Sequence, residues 1–155
     1  MITQQLTKLF DRDINKLKSE ILQFKNEDDL WRTMPGVKNS AGNLCLHLVG
    51  NLQAYIGRNI GSIPFVRDRD AEFSLQGILK ADLVSRVEHT FTVVHNTVSN
   101  LQLEKLEEVH IENILGYEMT NAYFLFHLLA HLSYHTGQIN YIRRIIEPAD
   151  QVLNV

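Results

Sequence analysis

Apolar residues recur at intervals of three and four along four stretches of the chain, which is the periodicity of amphipathic α-helices. The first stretch predicts a helix over residues 3–25, with an apolar face made of Leu6, Phe10, Ile14, Leu17, Ile21 and Phe24. The segment that follows, NEDDLWRTMPGVKNSAGN, contains Pro35 and Gly36 and indicates a loop. Trp31, within this loop, is expected to be a packing anchor.

A second helix is predicted from near Ser40, with Leu44, Leu48, Leu52, Tyr55 and Ile56 as its apolar positions and fraying expected after Gly57. Residues 59–78 hold two further glycines and a proline, and are interpreted as a long crossover with short ordered pieces. The third helix is expected from about Asp82 to Asn100, with the core face Leu83, Val87, Phe91, Val94 and Val98.

The fourth helix is predicted to begin with Thr120 as its N-cap and to continue until Pro148 stops it. Residues 106–119 are ambiguous, because Val109 and Ile111 alternate with polar residues as in a weak strand. Four long amphipathic helices and one long crossover predict an all-α fold, a four-helix bundle that forms a single domain over residues 1–155.

Composition narrows the classes of partner. The 155 residues are 45% hydrophobic and carry a net charge of -3, without a stripe of Lys and Arg, so nucleic acid and membrane surfaces are not expected partners. No apolar run approaches the ~20 residues that a membrane span requires. The single cysteine, Cys45, forms no internal disulfide and is expected in the core, which suits a reducing compartment, the cytosol.

Histidines mark the candidate chemistry, since His127, His131 and His135 are spaced four apart within HLLAHLSYHTGQI. The stripe containing them begins at Phe124, continues through Gln138 and ends with Ile142 and Ile145, so its apolar ends indicate that it faces the core. Buried polar groups require partners. The stripe therefore predicts water, an ion or a ligand between the helices.

One metal ion can take two imidazoles at positions i and i+4 of a helix. Three are too many, because the outer two lie about 12 Å apart along the axis. The spacing leaves the pairs His127/His131 and His131/His135 open, and His47 on the second helix is the best candidate for the missing ligand. Mid-helix Gly50 and Gly137 suggest a close approach of these two helices.

The histidine in the middle of the second helix and the late HLSYHTGQI together resemble the DinB-like (YfiT-like) metalloenzyme superfamily, over essentially the whole chain. The stretch FVRDRDAEF looks like an uncharacterised bacterial branch of it. The resemblance implies that His47, His131 and His135 bind a divalent ion. It matches Gln138 to the family glutamine and makes His127 a non-ligand that lies beside the site or in the core. It also implies a homodimer.

Three neutral imidazoles leave a coordination position open, as in catalytic sites. They suit Zn²⁺ or Ni²⁺ first, with Fe, Mn or Cu as alternatives. The resemblance favours a metal-dependent transferase that joins a low-molecular-weight thiol, such as bacillithiol or glutathione, to a small electrophilic substrate. The alternatives are a hydrolase using metal-bound hydroxide, for which no acidic residue stands beside the ligands in sequence, and a non-catalytic metal- or ligand-binding bundle.

The spacing of glutamates and histidines excludes two other classes of metalloprotein. Zincin peptidases need a glutamate directly after the first histidine, where this chain has Leu128 or Leu132. Di-iron bundles need inward-facing Glu-x-x-His pairs, and the one match, Glu107 to His110, lies outside the predicted core helices. Within the crossover, Arg67 and Arg69 are expected to be solvated or paired with their acidic neighbours Asp68, Asp70 and Glu72, and the alternative is that one of the two arginines lines the mouth of a pocket.

Overall fold

The computed structural model describes residues 1–148 and confirms the all-α bundle. The helices are α1 (Ile2–Leu22), α2 (Ala41–Leu52), α3 (Arg69–Ser74), α4 (Lys80–Ser99), α5 (Leu103–Glu107) and α6 (Asn121–Ile146). A 3₁₀ turn covers Glu27–Leu30, and a π-helical segment, Gln53–Ile60, continues α2. Across residues 1–148 the backbone forms isolated β-bridges and no strand, so the bundle consists of the four long helices.

The four long helices pack so that α1 and α2 occupy opposite corners. Helix α1 contacts α4 and α6, and α2 contacts the same two helices from the other side. The predicted apolar face of α1 is buried along its whole length. The chain therefore passes from one corner of the bundle to the opposite one between α1 and α2. The segment 61–79, predicted as the crossover, joins the adjacent helices α2 and α4 and runs over the outside of α2, where α3 packs on it.

Helix α2 is buried on every side, since all twelve of its residues are buried. Ser40 caps it as predicted, accepting a hydrogen bond from the backbone N–H of Asn43 at 3.1 Å. The Asn43 amide in turn donates to the backbone oxygens of Glu72 and Leu75 at 3.0 and 2.9 Å, which fixes α3 against α2. The residues of α2 that contact α3 are polar, as Asn43 and His47 show, so the sequence pattern of α2 indicated a single apolar face.

The expected fraying after Gly57 is wrong, because the helix continues in π geometry to Ile60. Gly57 is buried against α4, where an added Cβ would lie 2.7 Å from Cγ1 of Val93. The glycine therefore permits a close contact with α4 instead of ending the helix. Trp31 packs as predicted, with its ring against Gly42 and its indole N–H donating to the oxygen of Ile78 at 3.2 Å.

The remaining boundaries differ by a few residues from the predictions. Helix α1 ends at Leu22, although Phe24 beyond it is still buried. Thr120 caps α6 as predicted, accepting from the N–H of Tyr123 at 3.2 Å. The ambiguous stretch contains one bridge, between Val109 and Thr120, and no strand within the described range. Among residues 1–148, no helix has the length and apolar character needed to cross a membrane.

Candidate metal centre

Helices α2 and α6 bring three histidines together at the middle of the bundle. Nε2 of His131 lies 3.2 Å from Nε2 of His47 and 3.1 Å from Nε2 of His135. One ring nitrogen of each histidine lies within 4.8 Å of the others, a cluster that could bind a metal ion. A tetrahedral Zn²⁺ with Zn–N distances of about 2.0–2.1 Å holds its nitrogen ligands roughly 3.3–3.4 Å apart. The observed spacings are within a few tenths of an ångström of that geometry.

Hydrogen bonds at Nδ1, the ring nitrogen farther from the cluster, orient the imidazoles of His47 and His135. Nδ1–H of His47 donates to Oε2 of Glu72 at 3.0 Å, and Nδ1–H of His135 donates to Oε1 of Gln138 at 2.7 Å. With the proton on Nδ1, each Nε2 presents a lone pair to the cluster. Metal-binding histidines almost always have such a partner on the nitrogen that does not bind the metal. The donor set therefore fits a divalent ion.

His131 lies between the other two rings and is held neutral. Burial, together with the neighbouring His135 and His47, lowers the pKa of His131 to about 3. A neutral imidazole has one N–H, and the buried Nδ1 of His131 has no hydrogen-bond partner. If the proton is on Nδ1, three lone pairs converge and repel one another unless a cation lies between them. If the proton is on Nε2, His131 can donate a hydrogen bond to only one of its two neighbours, His47 or His135.

Glu72, expected from the sequence only as an ion-pair partner of the crossover arginines, is part of the histidine site. Its side chain is 6% exposed, and its carboxylate receives Nε–H and Nη2–H of Arg67 at 2.6 and 2.9 Å besides the bond from His47. Burial alone would raise the pKa of Glu72, but the hydrogen bonds from His47 and Arg67 outweigh it and lower the pKa. Of the ion pairs expected in the crossover, Arg67–Glu72 is formed. The acidic residue that was missing beside the ligands in sequence is supplied by α3, 25 positions away.

The two mid-helix glycines do not act as predicted. A Cβ on Gly50 would overlap Oε1 of Glu72, so this glycine makes room for the carboxylate from the crossover and not for α6. Gly137 is exposed, and an added Cβ there would meet nothing within 4 Å. The expectation that both glycines mark the contact of α2 with α6 is therefore wrong. Glycine spacing alone does not reveal which element fills the space.

His127 and Gln138 occupy different positions around the cluster. Gln138 contacts His135 directly, whereas His127 stacks towards His131 with ring centroids 6.1 Å apart and lies outside the three-histidine cluster. The ends of the stripe at Phe124 and Ile142 are buried and the polar positions between them are half-buried, but Ile145 is 61% exposed, contrary to the prediction. Ile145 lies in the last turn of α6, which ends at Ile146.

A cavity of about 260 Å³ opens beside the cluster. The residues that line it are His47, Asn51, Tyr55, Arg67, Arg69, Ile114, Phe124, His127, Leu128 and His131. No Asp or Glu is among these described residues. The charge of Arg67 is balanced by its ion pair with Glu72, so Arg69 and a cation in the cluster would supply the net positive charge that suits the cavity to a small anionic ligand.

The other sulfur and imidazole groups lie apart from the centre. Cys45 is fully buried, as predicted, and burial raises the pKa of its thiol to about 12. His95 contacts Asp11 at 3.0 Å and His110 contacts Asn121 at 2.8 Å, while His89 is exposed. These three histidines lie outside the cluster that α2 and α6 form.

The fold and site define an all-α bundle with a three-histidine cluster that could bind a metal ion. The chain belongs to the family described as "Protein of unknown function (DUF1572)", which matches residues 3–153. It is similar to a solved structure of a conserved protein from Enterococcus faecalis, with a TM-score of 0.72 and 16% identity over 94% of this chain and 97% of that one. At this identity the likeness establishes the fold alone. No curated protein sequence matches the chain significantly.

Proposed function

We propose that the protein is a divalent-metal-dependent transferase of the DinB-like type, which joins a small thiol to an electrophilic substrate. The observation that supports it is the convergence of three imidazole Nε2 atoms, two of them oriented through Nδ1 by Glu72 and Gln138. A bound ion would supply Lewis acidity and an open position for one further ligand. Zn²⁺ and Ni²⁺ are the leading ions for an all-imidazole donor set.

The cavity walls favour a sulfur anion as nucleophile over water activated by a carboxylate. None of the described lining residues is acidic, and Glu72 is engaged by both His47 and Arg67, so no carboxylate is free to act as a general base. A thiolate needs no base at the moment of attack, and a bound ion together with Arg69 would stabilise its charge, since the charge of Arg67 is balanced by Glu72. Cys45 is not the nucleophile, because it is buried away from the cavity with the pKa of its thiol raised to about 12.

In the proposed reaction the thiol first releases its S–H proton to solvent. The sulfur lone pair then forms a bond to the electrophilic carbon of the substrate, and the bond from that carbon to its leaving group breaks. The bonding electron pair departs with the leaving group. Arg67, Arg69 and Tyr55 would hold the thiol and substrate within the cavity, which admits only small molecules. We place this reaction in the cytosol, where small thiols are kept reduced.

The test begins with metal content. Purified tag-free wild type, His135→Ala and His89→Ala are compared by inductively coupled plasma mass spectrometry, with His89→Ala as the matched control because His89 is exposed on α4. We expect about one ion per chain in the wild type and the control and none in His135→Ala. A wild type that contains no metal and takes up neither Zn²⁺ nor Ni²⁺ would contradict the proposal.

The metal-loaded wild type is then assayed with a panel of small thiols and an activated aryl halide, and separately with activated esters. Thiol-dependent release of halide that is absent in His135→Ala supports the transferase. Ester hydrolysis without any thiol would replace it with the hydrolase. A loaded protein inactive in both assays would indicate a binding protein in which the ion stabilises the fold.

A further inference from the structure

Two buried polar atoms beside the three-histidine cluster lack hydrogen-bond partners. One is Nδ1 of His131, and the other is Oδ1 of Asn51. Both residues line the same cavity, and Asn51 is 8% exposed. Buried polar atoms in native proteins are nearly always paired, so two unpaired atoms in one wall require an explanation.

The two atoms are chemically complementary. His131 must carry its proton on Nδ1 if its Nε2 is to bind an ion, which makes Nδ1 a donor, and Oδ1 of Asn51 is an acceptor. Asn51 lies one helical turn beyond His47 on α2, about 6 Å along the axis. His131 approaches α2 from α6, with its Nε2 3.2 Å from Nε2 of His47, and it lines the same cavity as Asn51.

The other two histidines of the cluster already have an acceptor at Nδ1. His47 donates to Glu72 and His135 donates to Gln138, whereas His131 alone has none. A third acceptor would complete a set in which each imidazole is held by its own oxygen.

We propose that Asn51 is the positioning residue of His131. A rotation of its carboxamide brings Oδ1 to Nδ1–H when an ion binds, which fixes the ring with Nε2 towards the cluster. This inference rests on the proposed function, because the pairing matters only if the cluster binds metal.

The proposal predicts that replacing Asn51 affects metal affinity and the free energy of unfolding differently. Removing the carboxamide takes away the orienting acceptor, and loss of such a partner typically weakens metal binding by 10- to 100-fold. Oδ1 of Asn51 has no hydrogen-bond partner in the structure, so an apolar side chain of similar size should keep or increase the free energy of unfolding measured without metal. A purely structural residue would lower both quantities together.

The experiment measures Zn²⁺ affinity by competition with a chromophoric chelator for wild type, Asn51→Leu, Asn51→Ala and Asn51→Asp. Urea unfolding of the metal-free forms runs in parallel, and Gln138→Leu is the matched positive control because Gln138 already contacts His135. We expect a 10- to 100-fold loss in Asn51→Leu and Asn51→Ala, as in Gln138→Leu, and a loss of less than about threefold in Asn51→Asp, which keeps an acceptor oxygen.

Each outcome separates the two proposals. A wild type that binds no Zn²⁺ defeats the metal site itself. A wild type that binds Zn²⁺ while Asn51→Leu and Asn51→Ala stay within threefold of it overturns the role of Asn51 and leaves the metal site standing. Should Asn51→Leu fail to fold, Asn51→Ala decides the same question. As a direct readout, the Nδ1–H proton of His131 should be protected from solvent exchange in the loaded wild type and lose that protection in Asn51→Ala.

Discussion

Oε2 of Glu72 on α3 lies 3.0 Å from Nδ1 of His47 on α2, a contact that no sequence pattern indicated. The carboxylate is held on its other side by Arg67, so the position of His47 depends on a buried ion pair in the crossover. This arrangement resembles the carboxylate–histidine–metal triads in which the carboxylate fixes the tautomer of the ligand and increases its basicity.

Replacing Glu72 should weaken metal binding and, where its ion pair with Arg67 is lost as well, destabilise the fold. Glu72→Gln keeps an oxygen for His47 but loses the charge, and we expect Zn²⁺ affinity to fall by roughly 10- to 100-fold with the fold retained. Glu72→Ala also leaves the half-buried Arg67 without its partner, so we expect about 3–5 kcal/mol of destabilisation. Chelator competition and urea unfolding measure these effects. Glu88→Gln, an exposed residue that contacts Lys18, is the control, and equal affinity in Glu72→Gln would refute the triad.

The two mid-helix glycines provide a matched pair. In Gly50→Ala the new methyl group overlaps the Glu72 carboxylate, so we expect about 1–3 kcal/mol of destabilisation together with weaker Zn²⁺ binding. Gly137→Ala adds a methyl group in open space at an exposed position of α6, and we expect it to stabilise the protein by about 0.5–1 kcal/mol without changing metal affinity. Thermal and urea unfolding decide the signs. A neutral Gly50→Ala would show that Glu72 has another rotamer available.

The buried thiol should be inert in the native protein. Burial raises the pKa of Cys45 to about 12, and the thiolate is the reactive form, so iodoacetamide at pH 8 should label the folded chain far more slowly than the chain in 6 M guanidinium. Mass spectrometry of the intact protein over time measures the difference. Rapid labelling under native conditions would mean that the core around Cys45 opens readily.

Metal-free protein should lose stability in mild acid because of His131. Its pKa is about 3 in the folded state, against roughly 6.5 for an unperturbed imidazole. Between these values the unfolded chain binds a proton that the folded chain does not, so the contribution is fully present above pH 6.5 and is lost as the pH falls towards 3. Urea unfolding from pH 7 to 4 after EDTA treatment should show a decline that is smaller in His131→Gln. Identical slopes for the two proteins would contradict the neutral, buried state of His131.

The sequence by itself determined the four long helices and the histidines that could meet at the site. Periodicity is a local property that burial enforces along each helix, so the apolar face of α1 and the caps at Ser40 and Thr120 could be predicted from the chain alone. The i, i+4 spacing places His131 and His135 side by side on any α-helix. Choosing that pair over His127 and His131 required the family resemblance, because both pairs have the same spacing.

Only the tertiary structure decided what surrounds the cluster. The partnership of Glu72 with His47 spans 25 residues of irregular chain, and the path of such a segment depends on packing that no periodicity encodes. For the same reason the two glycines could not be interpreted from their positions, since the space beside Gly50 is filled by a side chain from α3 and the space beside Gly137 is open. Local spacing placed the candidate histidines along one face of α6, whereas long-range packing fixed the carboxylate that orients His47.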